Sequence, residues 1–217
     1  MIALIFANGS MEHPTRLPEY DVLIAADGGA YHCRRLGLQP DWVIGDLDST
    51  DPAFLEGLQA GGTRVKHFPT HKDYTDLELA VLHAQGLGAT QVVILAALGA
   101  RWDQTLANLL LPAARQFASL PVKLLDGAQE ITLIRPGETR AICGRPGDTL
   151  SLIPLSGDAQ GITTSGLEYP LQDEDLLFGS TRGVSNVLLG TCAEIKLNSG
   201  MLICTLIHHD GESTDEN

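Results

Sequence analysis

Apolar residues cluster along the chain in short runs at 2–7, 22–26, 42–44, 64–68, 92–98 and 122–125. Between them lie stretches with helical spacing at 30–36, 52–59, 75–86 and 103–118. Short strands that are apolar throughout, rather than alternating, are buried on both faces. Alternating with helices, they predict an α/β domain built on a Rossmann-like parallel sheet covered on both sides. The best-defined helix follows Thr75. Thr75-Asp76-Leu77-Glu78 forms a capping box, with Thr75 as the cap and Glu78 reaching back. Leu77, Ala80, Val81 and Ala84 then share one face.

Near Asp126 the pattern changes. Segments at 130–134, 139–143, 149–155, 161–167, 183–189, 192–197 and 201–207 are rich in Thr, Ile, Val and Leu and are punctuated by Gly and Pro. Strands at this spacing predict a small antiparallel sandwich or barrel. The turn signal Asp126-Gly127 marks the boundary. The chain thus divides into an α/β domain at 1–125, an all-β domain at 126–209 and a polar, acidic tail at 210–217 that is expected to fray.

Composition narrows the classes. With 217 residues, 44% of them hydrophobic, the chain builds one large domain or two small ones, and wholesale disorder is excluded. No apolar run approaches the ~18 residues that cross a bilayer. The opening MIALIFANGS lacks a basic region before its apolar run and reads as a first strand. The expectation is a cytoplasmic protein that does not enter the membrane. Net charge is −13, and both halves are acidic, so nucleic acid is not an expected partner. An acidic protein that handles phosphates needs something to offset their charge, and a divalent cation is the obvious candidate.

The cysteines, Cys33, Cys143, Cys192 and Cys204, form no C-x-x-C pair and are expected to be small buried hydrophobes in a reducing compartment. Among the histidines only the adjacent His208 and His209 approach a metal-like spacing, and these read as solvated tail. There is no G-x-S-x-G motif and no G-x-x-x-x-G-K-[ST] phosphate loop.

Ligands of open parallel sheets bind beyond the carboxyl ends of the strands. Those positions read Asp27-Gly28-Gly29 after the second strand and Gly45-Asp46-Leu47-Asp48-Ser49 after the third. After the fourth comes His71-Lys72-Asp73-Tyr74-Thr75-Asp76, and after the fifth Gly99-Ala100-Arg101-Trp102-Asp103-Gln104. Each group alone has an ordinary reading: a turn, helix-capping acids, an acidic helix start, a surface ion pair. Together, four successive strand ends deliver carboxylates, and two of them add Lys72 and Arg101. Crowded carboxylates repel unless neutralised. Mg²⁺ does so with one or two carboxylates plus waters and phosphate oxygens, while Lys and Arg clamp the phosphates. The constellation points to a metal–nucleotide site.

The blocks AADGGA at 25–30, DWVIGDLDS at 41–49, HKDYTDLELA at 71–80, ALGARWDQTLANL at 97–109, TTSGLEYPL at 163–171 and GVSN at 183–186 resemble the thiamine pyrophosphokinase family. They stand in family order and span most of the chain. The resemblance implies a nucleotide-binding α/β domain followed by a β-sandwich that binds thiamine and dimerises, in a homodimer with its site near the subunit interface. It implies transfer of the diphosphate of ATP to thiamine, giving thiamine diphosphate and AMP. On that basis Asp46, Asp48 and Asp76 hold Mg²⁺. Asp73 or Asp76 accepts the thiamine hydroxyl proton, and Lys72 and Thr75 line the same loop. Arg101 contacts the ATP phosphates, and Asp103 and Gln104 complete the edge. Asp27, Gly28 and Gly29 shape the nucleotide pocket. Ser185, Asn186 and Tyr169 face thiamine.

Three alternatives compete. A pterin diphosphokinase would keep fold and reaction but change the acceptor. A haloacid-dehalogenase-like phosphatase would use Asp46-Leu47-Asp48-Ser49-Thr50 as a D-x-D-x-T nucleophile loop, yet here that loop follows the third strand rather than the first. The third is a module that binds Mg-ATP without turnover.

Overall fold

The computed structural model describes residues 1–11, 17–48, 50–99 and 101–209; the tail at 210–217 lies outside them. The chain forms two compact units, Met1–Gly127 and Ala128–Asn217.

In the first unit the strands are β1 (Ile2–Phe6), β2 (Val22–Ala26), β3 (Trp42–Gly45), β4 (Arg64–His67), β5 (Gln91–Leu95) and β6 (Val122–Asp126). Every pairing among them is parallel, in the order β6-β5-β1-β2-β3-β4. The helices are α1 (Gly29–Arg35), α2 (Pro52–Ala60), α3 (Asp76–Gly86) and α4 (Trp102–Leu110). Leu4, Phe6, Leu23, Ala25, Val43, Val93 and Leu95 form one cluster with Ala30 and Cys33 of α1 and Leu58 of α2. The alternate strand residues Ala3, Ile5, Ile24, Ile44 and Ile94 are equally buried. Helix α3 packs on β1, β2 and β3 but adds nothing to the first cluster, so it covers the other face. Strands buried on both sides are why the apolar runs are continuous.

The chain steps outward from β1 through β4, then returns to place β5 on the other side of β1. The direction of winding therefore reverses between β1 and β5. At that point the following loops diverge and leave a crevice.

Three sequence expectations change in this unit. The helix expected at 103–118 ends at Leu110 and gives way to 3₁₀ turns at Leu111–Ala113 and Arg115–Phe117. Pro112 is the cause: it has no N–H to donate back along the helix, so the α-helical hydrogen-bond ladder stops there and the chain tightens into a 3₁₀ turn. The run at 64–68 is a largely exposed edge strand whose charges discourage further pairing. Thr75 does cap α3, its Oγ1 accepting from Glu78 N at 3.2 Å. Glu78 does not reach back; its carboxylate accepts from Gln116 Nε2 at 2.7 Å.

The second unit contains β7 (Gln129–Ile134), β8 (Thr139–Cys143), β9 (Thr149–Pro154), β10 (Ala159–Ser165), β11 (Glu174–Leu176), β12 (Asn186–Val187), β13 (Cys192–Lys196) and β14 (Leu202–Ile207). They pair antiparallel in the orders β12-β9-β14-β7 and β11-β10-β13-β8. Leu150, Leu152, Leu202, Cys204 and Leu206 from the first set share a core with Ile162, Leu176, Ala193 and Ile195 from the second. Burial alternates along β13 and β14, as it must when one face meets that core.

Only Asn186–Val187 of the run at 183–189 is strand, because Ser185 adopts a left-handed backbone (φ 63°) that interrupts extension. The short acidic β11 carries no apolar alternation, so the sequence pattern does not announce it.

The cysteine expectation is half overturned. Cys33 and Cys204 are buried thiols, pushed up to about 12 by burial. Cys143 and Cys192 face each other across β8 and β13, exposed and joined as a disulfide. His208 is not solvated tail either. It pairs with the buried Asp148 (Nδ1–Oδ2 2.9 Å) and with Glu130 (3.2 Å).

Candidate functional site

A cleft of about 420 Å³ opens at the carboxyl edge of the parallel sheet. Its floor is the winding reversal itself. The loop after β1 brings Asn8 and Gly9 against the loop after β5. Gly9 N donates to Ala96 O at 2.7 Å, and Ser10 N donates to Leu98 O at 2.8 Å. A Cβ on Gly9 would stand 2.5 Å from Ala96 O, so glycine is what allows the two loops to meet. Asn108 of α4 reaches back, its Nδ2 donating to Ala97 O at 2.7 Å, which ties the helix to the end of β5.

Around this floor stand Asp27, Asp46, Asp48, Lys72, Thr75, Asp76, Arg101 and Gln104. Asp27 is buried in a left-handed turn (φ 46°), and its Oδ2 accepts from Asn8 Nδ2 at 3.4 Å. The glycines after it serve the packing of α1. A Cβ on Gly29 would lie 2.0 Å from Phe6 O, and one on Gly28 would lie 2.3 Å from Asn8 Oδ1. Gly45 does the same between two acids: its Cβ would meet both Asp76 Oδ1 and Asp27 Cβ at 3.1 Å.

The electrostatic centre is Lys72. Its Nζ lies 3.1 Å from Asp46 Oδ2 and 2.8 Å from Asp76 Oδ1. The hydrogen bond from Lys72 holds the Asp46 carboxyl below its usual range. Partial burial pulls the Lys72 ammonium down, but its bonds to Asp76 and Asp46 outweigh that and leave it raised. Arg101 and Asp103 pair with each other at the open rim, both side chains about two-thirds exposed (67% and 65%). That hydrogen bond lowers the Asp103 carboxyl.

Most of the expected strand-end residues line the cleft, but Asp73, Asp103, Gly28 and Gly29 do not. Asp73 is exposed beside it. Reading the sequence missed Asn8, Gly9 and Thr70 and gave Tyr74 and Asn108, inside the quoted segments, no role; all five line it. Asn8 and Gly9 had a signal: they follow the first strand, and the strand-end rule applies there too.

The second unit has its own pocket, of about 320 Å³, walled by Leu150, Leu152, Leu171 and Val184 and edged by Tyr169, Arg182 and Asn186. Asn186 Oδ1 accepts from Tyr169 N (3.0 Å) and Val187 N (2.9 Å), and its Nδ2 donates to Tyr169 O (2.7 Å). Ser185 does not line this pocket; its N donates to Ser151 Oγ at 3.0 Å.

Comparison with known proteins agrees with this layout. Residues 15–124 match the family model for the thiamin pyrophosphokinase catalytic domain, and residues 134–202 match that for the thiamin pyrophosphokinase vitamin B1 binding domain. Thiamine pyrophosphokinase of Bacillus subtilis is 27% identical over 185 residues, 85% of this chain and 86% of that protein. Thiamine pyrophosphokinase 1 of Arabidopsis thaliana is 26% identical, over 82% of this chain and 69% of its own. The crystal structure of the B. subtilis protein superposes with a TM-score of 0.85 at 25% identity, covering 97% of this chain and all of that one (100%).

An α/β unit with acids and a lysine gathered at the carboxyl edge of its sheet, in a chain with these relatives, is a transferase of the kinase class. More closely, the chain belongs to the thiamin pyrophosphokinase family, whose activity is ATP:thiamine diphosphotransfer.

Proposed function

We propose that the cleft of the first unit binds Mg-ATP and that the pocket of the second takes thiamine, whose hydroxyl attacks the β-phosphorus as AMP leaves. The observation that carries this reading is the meeting of Asp46, Asp76 and Lys72 in one cleft at the winding reversal. We read the first unit as a Rossmann-like nucleotide-binding domain and the second as a β-sandwich for thiamine and dimerisation.

Among the described residues no three acidic, histidine or cysteine side chains stand close enough to share a metal. The donor set still suits Mg²⁺, which needs only one or two carboxylates beside waters and phosphate oxygens. Asp46 and Asp76 would supply these, with Asp48 on the same wall. When bound, the ion would neutralise phosphate charge as it builds in the transition state.

The chain's own groups do the rest by positioning and charge. Arg101, at the open rim, is placed to leave Asp103 for a phosphate. Asn8 and Gln104 offer amides along the floor, and Asp27 fixes Asn8. Of the two acids considered as acceptor of the hydroxyl proton, Asp76 is committed to the metal, so we assign the role to Asp73, exposed beside the cleft. In the second unit Tyr169 and the apolar wall present a face for the rings of thiamine. The GVSN and TTSGLEYPL segments border that pocket and favour thiamine over a pterin.

Exposed Trp102, Leu106 and Leu110 on α4, and Leu177, Phe178 and Leu189 in the second unit, support a homodimer with the site near the subunit interface. Among the described residues no helix is long and apolar enough to cross a membrane. We place the enzyme in the cytoplasm.

The test is AMP release from ATP with thiamine and Mg²⁺, with and without EDTA, beside a hydroxymethylpterin control. Asp46→Asn and Asp48→Asn should abolish AMP release while the circular dichroism spectrum is kept. Near-wild-type turnover in either variant removes that residue from the metal site. Turnover with the pterin alone replaces the acceptor. A phospho-aspartate trapped on Asp46 would revive the phosphatase reading, and ATP binding without AMP release would make the chain a sensor.

A further inference from the structure

We propose that Lys72 is the resident counter-cation of the Asp46–Asp76 pair, holding the two carboxylates together until a divalent cation displaces it toward the phosphates. The inference rests on the metal–nucleotide reading of the cleft and adds a role for one of its residues.

Asp46 follows β3 and Asp76 opens α3, so the two acids come from different elements. One nitrogen reaches both, at 3.1 and 2.8 Å. All three side chains are largely withdrawn from water, Lys72 to 12% exposure, Asp46 to 14% and Asp76 to 26%. Two carboxylates this close and this sheltered repel each other without a cation between them. The ammonium supplies it from within the chain.

That position cannot hold both cations. Mg²⁺ draws carboxylate oxygens to about 2.0–2.1 Å, inside the distances at which the ammonium now sits. Lysine is suited to yield. It is a compact, hydrated charge on a flexible four-carbon stem, and Lys72 lines the cleft along which a phosphate chain would lie. Arginine's rigid fork would bind the carboxylates bidentately and release them less readily. Lys72 thus orders the empty site and acts as a phosphate contact once the metal has taken its place.

The full-length protein tests this by amine acylation and peptide mass spectrometry at fixed pH. Lys72 should be protected without metal, label several-fold faster with Mg²⁺ alone, and be protected again with Mg²⁺ plus a non-hydrolysable ATP analogue. In parallel, Mn²⁺ titrated calorimetrically should bind Lys72→Met about tenfold tighter than wild type, because a neighbouring charge is gone. Asp46→Asn should lose that binding. Labelling of Lys72 that ignores saturating Mg²⁺ overturns the displacement whatever the titration gives. Mn²⁺ binding that survives in Asp46→Asn, or is missing from wild type and Lys72→Met alike, overturns the metal reading beneath it. Mn²⁺ bound no tighter by Lys72→Met, with Asp46→Asn dead, overturns the counter-cation role alone.

Discussion

Replacing Asn186 with alanine is the sharpest probe of how the second unit is organised. The side-chain amide of Asn186 imitates a peptide group. It takes hydrogen bonds from Tyr169 N at 3.0 Å and Val187 N at 2.9 Å, and gives one to Tyr169 O at 2.7 Å. It therefore holds the backbone of an aromatic residue that is 65% exposed at the rim of the pocket. Three hydrogen bonds at a net ~1 kcal/mol each set a ceiling of about 3 kcal/mol. The freed backbone groups lie near the surface and regain water, so about 1–2 kcal/mol is the expected loss. Its effect falls on the order of the 169–171 segment rather than on global folding. If thiamine enters there, ordering the segment must be repeated at each binding event, and KM for thiamine rises about tenfold. The chemistry belongs to the other unit, so kcat should hold within a factor of about two. Initial rates over a thiamine series at saturating Mg-ATP separate the two constants. A fall in kcat at unchanged KM would refute the reasoning, and so would unchanged kinetics. Asn186→Asp, which keeps the acceptor but loses the donor to Tyr169 O, should fall between.

Four further outcomes follow from other contacts. Gly45→Ala presses a methyl group on Asp76 Oδ1 and Asp27 Cβ, each 3.1 Å away; if Asp76 holds the metal as proposed, Mn²⁺ affinity should fall about tenfold with the fold intact. Gly29→Ala would place Cβ 2.0 Å from Phe6 O and should cost about 3 kcal/mol in urea unfolding. The Cys143–Cys192 bridge spans 49 residues, for which loop closure predicts at most about 4 kcal/mol; dithiothreitol should lower the urea midpoint of wild type but not of Cys143→Ser, and no shift would mean the bridge does not form in solution. Burial pulls His208 down, but its bonds to Asp148 and Glu130 outweigh that and raise it above 6.5; its contribution is therefore full below pH 6.5 and lost as pH rises through the higher folded value. Urea midpoints of wild type should fall across that range more than those of His208→Gln, and parallel curves would discount the pairing.

The legibility of this chain divides along physical lines. Continuous apolar runs, their spacing and the Thr75 cap are local properties, each set by residues within one turn or one strand, and they announced the parallel sheet and its helices. The strand-end rule then gathered Asp27, Asp46, Asp76 and Lys72 on one edge, because in a parallel sheet every carboxyl end points the same way. Pro112, which ends α4, is local in the same way, whereas the left-handed backbone of Ser185, which breaks the expected strand at 183–189, is not announced by its residue type.

Other features are long-range and have no local signature. Cys143 and Cys192 meet only because β8 and β13 pair in one register. His208 finds Asp148 only because β14 lies beside β9. Nothing at Asn8 says that it will face Asp27, and nothing at Lys72 says that its ammonium will settle between acids borne on two other elements. Sequence by itself determined the elements and the chemistry carried to one edge, since both follow from short-range pattern and strand polarity. Tertiary structure alone decided which of those groups touch, because contact between distant residues depends on strand order and packing that no single segment encodes.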